Sequence, residues 1–374
     1  MIDRTTIVGI VRLLIAWATV GAFLLFGDVW LAEPASRAGS AVLFVWLLGT
    51  ISWCAFGVVT RADHLAELLG EPLGTLLLTL SVIVIEVALI AAVMLGDQAA
   101  PTLGRDTMFA LLMIVLNGVV GLALLLGGLR HHEQDYNLQG AMAYLAVIIP
   151  LSILALVLPN FTRSTPGPTL STAQAFFFGL FTTALYGVFL AIQTVRHRAF
   201  FVERPRGETV AVAAHGSGHG GASLADVVRD AALLVVTMLP IVLLAKSLAK
   251  LVDRGVAVLG APAALGGMLI AMIVLAPEGV SALRAAIDNQ LQRSINLSLG
   301  AALSTIGLSV PAVLGIGLIT GQPVVLGVDP AGMVLLAVTL LVSTVTFSGS
   351  STTVLEGAVH LVLFFVYVVL LFSP

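Results

Sequence analysis

The chain repeats one pattern eleven times: an apolar run long enough to cross about 30 Å of hydrocarbon, closed by a short polar turn. The runs fall near 6–27, 39–60, 72–95, 107–128, 138–159, 172–195, 230–251, 257–283, 296–320, 331–348 and 356–373. Backbone facing lipid must satisfy its hydrogen bonds within its own segment, so each run is read as a helix. Composition agrees. Charged residues make up 10% of the 374 and hydrophobic ones 59%, whereas soluble domains carry about 25% charged residues. The expected fold class is an all-α membrane protein with about 11 transmembrane helices.

The same numbers narrow the function. A net charge of −3 argues against a nucleic-acid partner. The single cysteine, Cys54, lies inside an apolar run. It can form no intrachain disulfide, has no Cys/His metal spacing around it, and is read as a small buried hydrophobe. The first run is too long for the 7–15-residue apolar region of a signal peptide, so it is read as a membrane helix.

Orientation follows from the Lys and Arg residues of the loops. With the N-terminus in the cytoplasm, Arg4, Arg12, Arg61, Arg130, Arg196, Arg198, Arg204, Arg206, Arg229, Arg284 and Arg293 lie inside, eleven against six outside. Eleven spans then put the C-terminus outside. The one sizeable polar connection, 196–229, is rich in Arg, Gly and His and reads as a cytoplasmic linker. His215 and His219 within it form a weak metal-binding pattern, and a solvated linker is the preferred reading.

That linker separates two related halves. "LGEPLGTLLLTLSVIVIEVALI" (69–90) and "LGAPAALGGMLIAMIVLAPEGVSAL" (259–283) both open Leu-Gly-x-Pro and carry one glutamate inside the apolar run, Glu86 and Glu278. They are the third and eighth helices, five positions apart, so the two copies cross in opposite directions and are inverted in the membrane. The expected organisation is an extra N-terminal helix (1–30), a first five-helix repeat (39–195), the linker and a second five-helix repeat (230–374). Inverted repeats are associated with secondary transporters.

An ionisable group at the bilayer centre costs at least ~2.5–3.5 kcal/mol on insertion scales, so two glutamates at matching positions point to a shared polar site. Pro277, beside Glu278, removes a helix hydrogen bond and is expected to open the backbone there, freeing carbonyls for an ion. Neighbouring helices add neutral oxygens: Asn117 on the fourth, and Asn296, Ser298, Ser304 and Thr305 on the ninth. Gly118, Gly121, Gly300 and Gly307 allow those helices to approach closely. The candidate metal-ligating set is Glu86, Glu278, Asn117 and Ser304. Carboxylate, amide and hydroxyl oxygens suit a hard cation such as calcium. Burial and a second carboxylate both favour the neutral acid, so one site can take a cation or protons but not both. Competition of that kind, with access alternating between the two faces, is antiport.

At these residues the chain resembles the cation/proton exchangers of the cation/calcium exchanger superfamily, and most of all their ChaA-type bacterial branch. The supporting stretches are the glutamate segment 69–90, "MIVLNGVVGLALLLGGLRHHEQDYNLQGAMAYLAVIIPL", "LAPEGVSALRAAIDNQLQRSINLSLGAALSTIGLSVP" and "LEGAVHLVLFFVYVVLLF". The resemblance implies an extra helix plus two inverted five-helix repeats, one glutamate in each, in a bacterial inner membrane. Where many relatives carry Gly-Asn ahead of each glutamate, this chain has Val82-Ile83 and Val274-Leu275. Asn117 falls where one repeat of the family has serine, and Ser304 where another pattern has glutamine. Calcium/proton exchange is the first expectation, with sodium/proton or potassium/proton exchange as the alternative and no cofactor.

Three further features carry smaller expectations. The charges of "GGLRHHEQDYN" (127–137) are read as interfacial, capping a helix end or joining a proton path, with the structural reading preferred. Glu71 is read as favouring the start of the third helix through the helix dipole. Glu356 and His360, four apart on the last helix, are read as able to pair, outside the transport site. The competing class, an intramembrane enzyme, is disfavoured, because no nucleophile pair or His-rich motif lies within the spans.

Overall fold

The computed structural model describes residues 4–32, 36–69, 73–94, 101–202, 224–262 and 264–373. Within them, eleven helical rods follow one another: α1 (Arg4–Trp30), α2 (Arg37–Leu69), α3 (Leu73–Met94), α4 (Leu103–His131), α5 (Leu138–Leu156), α6 (Thr172–Arg196), α7 (Leu224–Leu259), α8 (Ala264–Ile287), α9 (Leu291–Thr320), α10 (Pro330–Thr346) and α11 (Val354–Phe372). Among the described residues nine are long and apolar enough to cross a membrane, and α10 is shorter. The expected all-α membrane fold is the fold observed, and the inverted repeat pairs α2–α6 with α7–α11.

Boundaries moved where local chemistry overrides apolar content. The expected eighth run began at 257, but α7 continues to Leu259. It stops at Gly260, whose φ of +61° is the left-handed conformation that ends helices. Pro262 two residues on cannot continue the helix. The α4–α5 turn is tied down at both sides. Gln134 and Asp135 pair antiparallel with Thr352 and Ser351 ahead of α11. His131 Nε2 lies 2.8 Å from the Ile287 carbonyl at the end of α8, and Glu133 accepts a hydrogen bond from Ser351. These contacts are structural ones, and His131 meets the end of α8 as the capping reading of 127–137 expects.

Two apolar bodies make up the core. One gathers Leu47, Ile51 and Val58 of α2 with Ile241, Leu244 and Leu248 of α7, and α1 adds Ala16, Val20 and Phe23. Cys54 is buried in this body. The other is built on Leu111, Leu112 and Leu116 of α4, Ile148 of α5, Leu299 and Ile306 of α9, and Leu336 of α10. Only α3 and α8 contribute substantially to both: Ile85 and Leu89 face the first body while Ile90 and Met94 face the second. Ile270, Ile273 and Val274 divide in the same way from Met268, Ala271 and Leu275. Each of these helices carries one of the two membrane glutamates, so both carboxylates sit at the seam between the bodies.

Glycine permits a close helix crossing between α4 and α11. A Cβ on Gly121 would lie 3.0 Å from Leu361 N and 3.1 Å from Gly357 O, and one on Gly357 would lie 2.5 Å from Leu125 N. Gly118 and Gly307 likewise face aromatic rings, Phe364 and Tyr186, at 3.3 and 2.9 Å from an added Cβ. Gly300 differs from the expectation, since nothing lies within 3.8 Å of its would-be Cβ and it borders open space.

Candidate site at the seam between the apolar bodies

Glu86 is 1% exposed. Its Oε2 accepts a hydrogen bond from Thr305 Oγ1 at 3.0 Å. The fully buried Ser309 hydroxyl faces the same carboxylate without closing a hydrogen bond to it. Thr305 and Ser309 bound a π-helical turn inside α9. Such turns insert an extra residue, shift the register of the side chains that follow, and recur at functional sites. The fourth helix has one at the equivalent place in the other repeat, Ile114–Val119. The repeat thus extends from the paired glutamates to a pair of π turns, one of which faces Glu86.

Glu278 is half-buried on α8 and lines a cavity of about 430 Å³ with Ser304, Gly300, Asn296 and Tyr144. The cavity extends to exposed Arg198 and Arg293 at one end of the bundle. Ser304 donates to its own helix, to Ala301 O at 3.0 Å, so its oxygen meets the cavity as an acceptor. Ser304 and Thr305 are consecutive: α9 touches the Glu86 side with one and the Glu278 cavity with the other.

Two expectations need correcting. Pro277 does not open the backbone, since α8 runs unbroken from Ala264 to Ile287 through it. A single proline releases only one carbonyl, that of the residue four before it, and the remaining ladder holds the helix. The irregular backbone lies instead in the π turns of α4 and α9. The second correction concerns Asn117. It is fully buried, but its amide is already engaged: Nδ2 donates to Thr339 Oγ1 at 2.8 Å and Oδ1 lies 3.2 Å from His360 Nδ1. His360 Nε2 meets Thr346 Oγ1 at 3.0 Å. Asn117 therefore ties α4 to α10 and α11 and makes no hydrogen bond to either glutamate.

The suggested Glu356–His360 pair is not made. Glu356 closes a capping box on Thr353, accepting from its backbone N at 2.8 Å and its hydroxyl at 2.7 Å, while His360 turns inward to Asn117. Among the described residues no group of three or more His, Cys, Asp or Glu is placed to hold a metal. Glu71, His215 and His219 lie outside the described residues.

Sequence reasoning named Thr305 without selecting it, and missed Ser309, Thr339, Thr346 and Tyr144. One signal was available: Thr305 and Ser309 are four apart and share a helix face. Nothing local marks Thr339 or Thr346, whose importance comes from distant partners.

The buried network makes one prediction at once. His360→Leu strands Asn117 Oδ1 and the Thr346 hydroxyl, and an unsatisfied buried polar group costs about 1–3 kcal/mol. A thermal unfolding scan of the detergent-solubilised protein is expected to show clear destabilisation. A midpoint equal to wild type would mean that the network carries no stability.

Comparison with known proteins adds the following. The family model described as "Sodium/calcium exchanger protein" matches residues 39–195 and 230–373. The chain is 42% identical over 336 residues to a putative ionic transporter, y4hA, of Sinorhizobium fredii, covering 90% of each. It is 39% identical over 333 residues to the sodium-potassium/proton antiporter ChaA of Escherichia coli, covering 89% of each. The crystal structure of the Ca2+/H+ antiporter protein YfkE superposes with a TM-score of 0.70 at 18% identity, over 97% of this chain and 100% of that one.

Proposed function

The chain belongs to the sodium/calcium exchanger protein family, and from that premise we propose that it exchanges sodium or potassium for protons, with cation and proton competing at Glu86 and Glu278. Members of the family are transporters and not enzymes, and this one is a multi-pass membrane protein that exchanges cations. The identity of the cation, the ligands and the orientation are the proposal.

One observation carries it. Glu86 is buried at a seam between two apolar bodies with hydroxyl partners only, and no Lys or Arg among the described residues pairs with it. A carboxylate so placed is stable when protonated or when a cation sits on it, and unstable otherwise. That alternation is the elementary step of antiport. Glu278, its counterpart in the second repeat, is reached through the cavity that ends at Arg198 and Arg293. With the N-terminus cytoplasmic in a bacterial inner membrane and 196–229 as the cytoplasmic linker, that cavity opens inward.

The choice of cation follows from the donor count. Calcium takes 6–8 oxygens, and the case for it counted Asn117 as a ligand. With that amide bound to Thr339 and His360, two carboxylates and the hydroxyls of Thr305, Ser309 and Ser304 are the oxygens at hand. A thinner set suits a monovalent ion, and the 39%-identical relative described as a sodium-potassium/proton antiporter supports this order. Calcium stays second, because two carboxylates neutralise one divalent ion.

Everted vesicles loaded by respiration provide the test. Adding sodium or potassium is expected to release the proton gradient, with a smaller response to calcium. A response to calcium alone would overturn the monovalent assignment, and no response to any of the three would overturn antiport.

A further inference from the structure

A second cleft, of about 950 Å³, opens where α1, α2 and α7 meet, and none of its lining residues belongs to the glutamate site. Its polar wall holds Arg12 from α1, Arg61 and His64 from α2, and Arg229 and Asp230 from α7. Part of this charge is internally balanced. Arg229 lies 3.2 Å from Asp226 and 3.3 Å from Asp230, and His64 Nδ1 is 3.1 Å from Asp230.

Arg12 and Arg61 are left over. Neither forms an ion pair with a carboxylate among the described residues. Arg12 packs its guanidinium over the Trp53 ring at 5.7 Å, and its Nε is buried without a hydrogen-bond partner. The two arginines cross reciprocally over glycines. Arg12 lies against Gly57 of α2, and a Cβ on Gly9 of α1 would sit 3.2 Å from Arg61 Nη2. Any larger residue at Gly57 would displace Arg12, so the helices are shaped around a pair of like charges. Two guanidinium groups this close repel one another, and in a membrane helix an uncompensated cation is costly.

Apart from Thr60, the remaining wall is apolar side chain and glycine. Val8, Ile10, Leu13 and Leu233 line the same cleft, and Val8 and Ile10 are exposed on the outer face of α1. A cationic pocket at the head of an apolar groove matches a molecule with an anionic head and hydrocarbon tails. Guanidinium forks fit phosphate oxygens two at a time, and basic pockets between membrane helices bind anionic headgroups. We propose that this cleft is a binding site for an anionic phospholipid, its phosphate held between Arg12 and Arg61 and its acyl chains lying along Val8, Ile10 and Leu233. The bound phosphate would bridge α1 to α2 and replace a repulsion at their crossing with two charge-assisted contacts.

The test uses the full-length protein purified in a neutral detergent. Thermal unfolding is followed after adding phosphatidylglycerol, phosphatidylcholine or inorganic phosphate, and native mass spectrometry counts retained lipid. Wild type is expected to gain several degrees with phosphatidylglycerol, to gain less with phosphatidylcholine, and to keep one anionic lipid per chain. Arg12→Gln/Arg61→Gln is expected to respond equally to both lipids while retaining exchange activity in phosphatidylcholine proteoliposomes. Equal responses of wild type to the two lipids, or an unchanged phosphatidylglycerol preference in the double variant, would overturn the site. A matching shift from inorganic phosphate alone would overturn its assignment to lipid. Should the double variant not fold, the wild-type mass spectrum decides, and absence of retained phosphatidylglycerol counts against the proposal.

Discussion

Glu86→Gln and Glu278→Gln are each expected to reduce cation-driven proton flux in proteoliposomes to background while leaving the protein folded. Glutamine keeps the shape of the side chain and removes both the charge and the exchangeable proton. At Glu86 the amide oxygen can still accept from Thr305, and no cationic side chain is left unpaired, so the fold loses nothing large. The exchange cycle loses its competing step. A charge-assisted contact is worth about 1.5–3 kcal/mol, which at its upper end is roughly 100-fold in ion affinity, before the lost proton coupling is counted. Thermal midpoints near wild type together with absent flux are the expected pair of results. Retained proton-coupled flux in either variant would remove that glutamate from the site.

The second large effect lies in the packing of α4 on α11. Gly357→Leu puts a side chain where Leu125 N would be 2.5 Å and Gly121 O 2.9 Å from its Cβ. Both neighbours are backbone, so neither can rotate away, and the helices must part. Overpacking of this kind costs about 3 kcal/mol or more when the backbone has to move. Separation of α11 from α4 would also pull His360 off Asn117. The expected result is loss of folded protein or a sharply lowered unfolding midpoint. Gly49→Ala is the matched control: nothing lies within 4 Å of its Cβ, and alanine is the better helix former by up to about 1 kcal/mol. A Gly357→Leu protein as stable as the control would refute the close crossing.

The position of the two glutamates suits the exchange proposed for them. Each lies on a helix that packs against both apolar bodies. Under the exchange proposed here, a relative movement of those bodies would shear along α3 and α8 and change access to the carboxylates with little disturbance inside either body. The cavity at Glu278 and the enclosure of Glu86 are two different exposures of matching residues within one structure.

Much of this was legible before any coordinate. Apolar length marked every helix, because in lipid the backbone has no alternative way to bond. Hydropathy placed the break between the seventh and eighth helices a few residues early, and Gly260 and Pro262, noted only as part of a repeat opening, turn out to set it. The paired glutamates were visible because a carboxylate in an apolar run is costly and therefore conspicuous. Pro277 misled for a local reason: a proline weakens a helix, but the surrounding ladder and packing decide whether it opens. Asn117 misled for a distant one, since an amide deep in the bundle signals a partner without saying which.

The sequence by itself determined eleven helices, their inverted pairing, and the placing of Glu86 and Glu278 inside apolar runs where a carboxylate is costly. All of these depend on the cost of polar groups in hydrocarbon, a quantity read one segment at a time. Only the tertiary structure decided that Glu86 meets Thr305, 219 positions away, that Asn117 is taken by Thr339 and His360, 222 and 243 positions away, and that Arg12 and Arg61 share one cleft. In a bundle where nearly every helix is apolar all round, no hydrophobic face announces its neighbour. Close packing and the satisfaction of a few buried polar atoms choose the partners, and both are properties of the assembled whole.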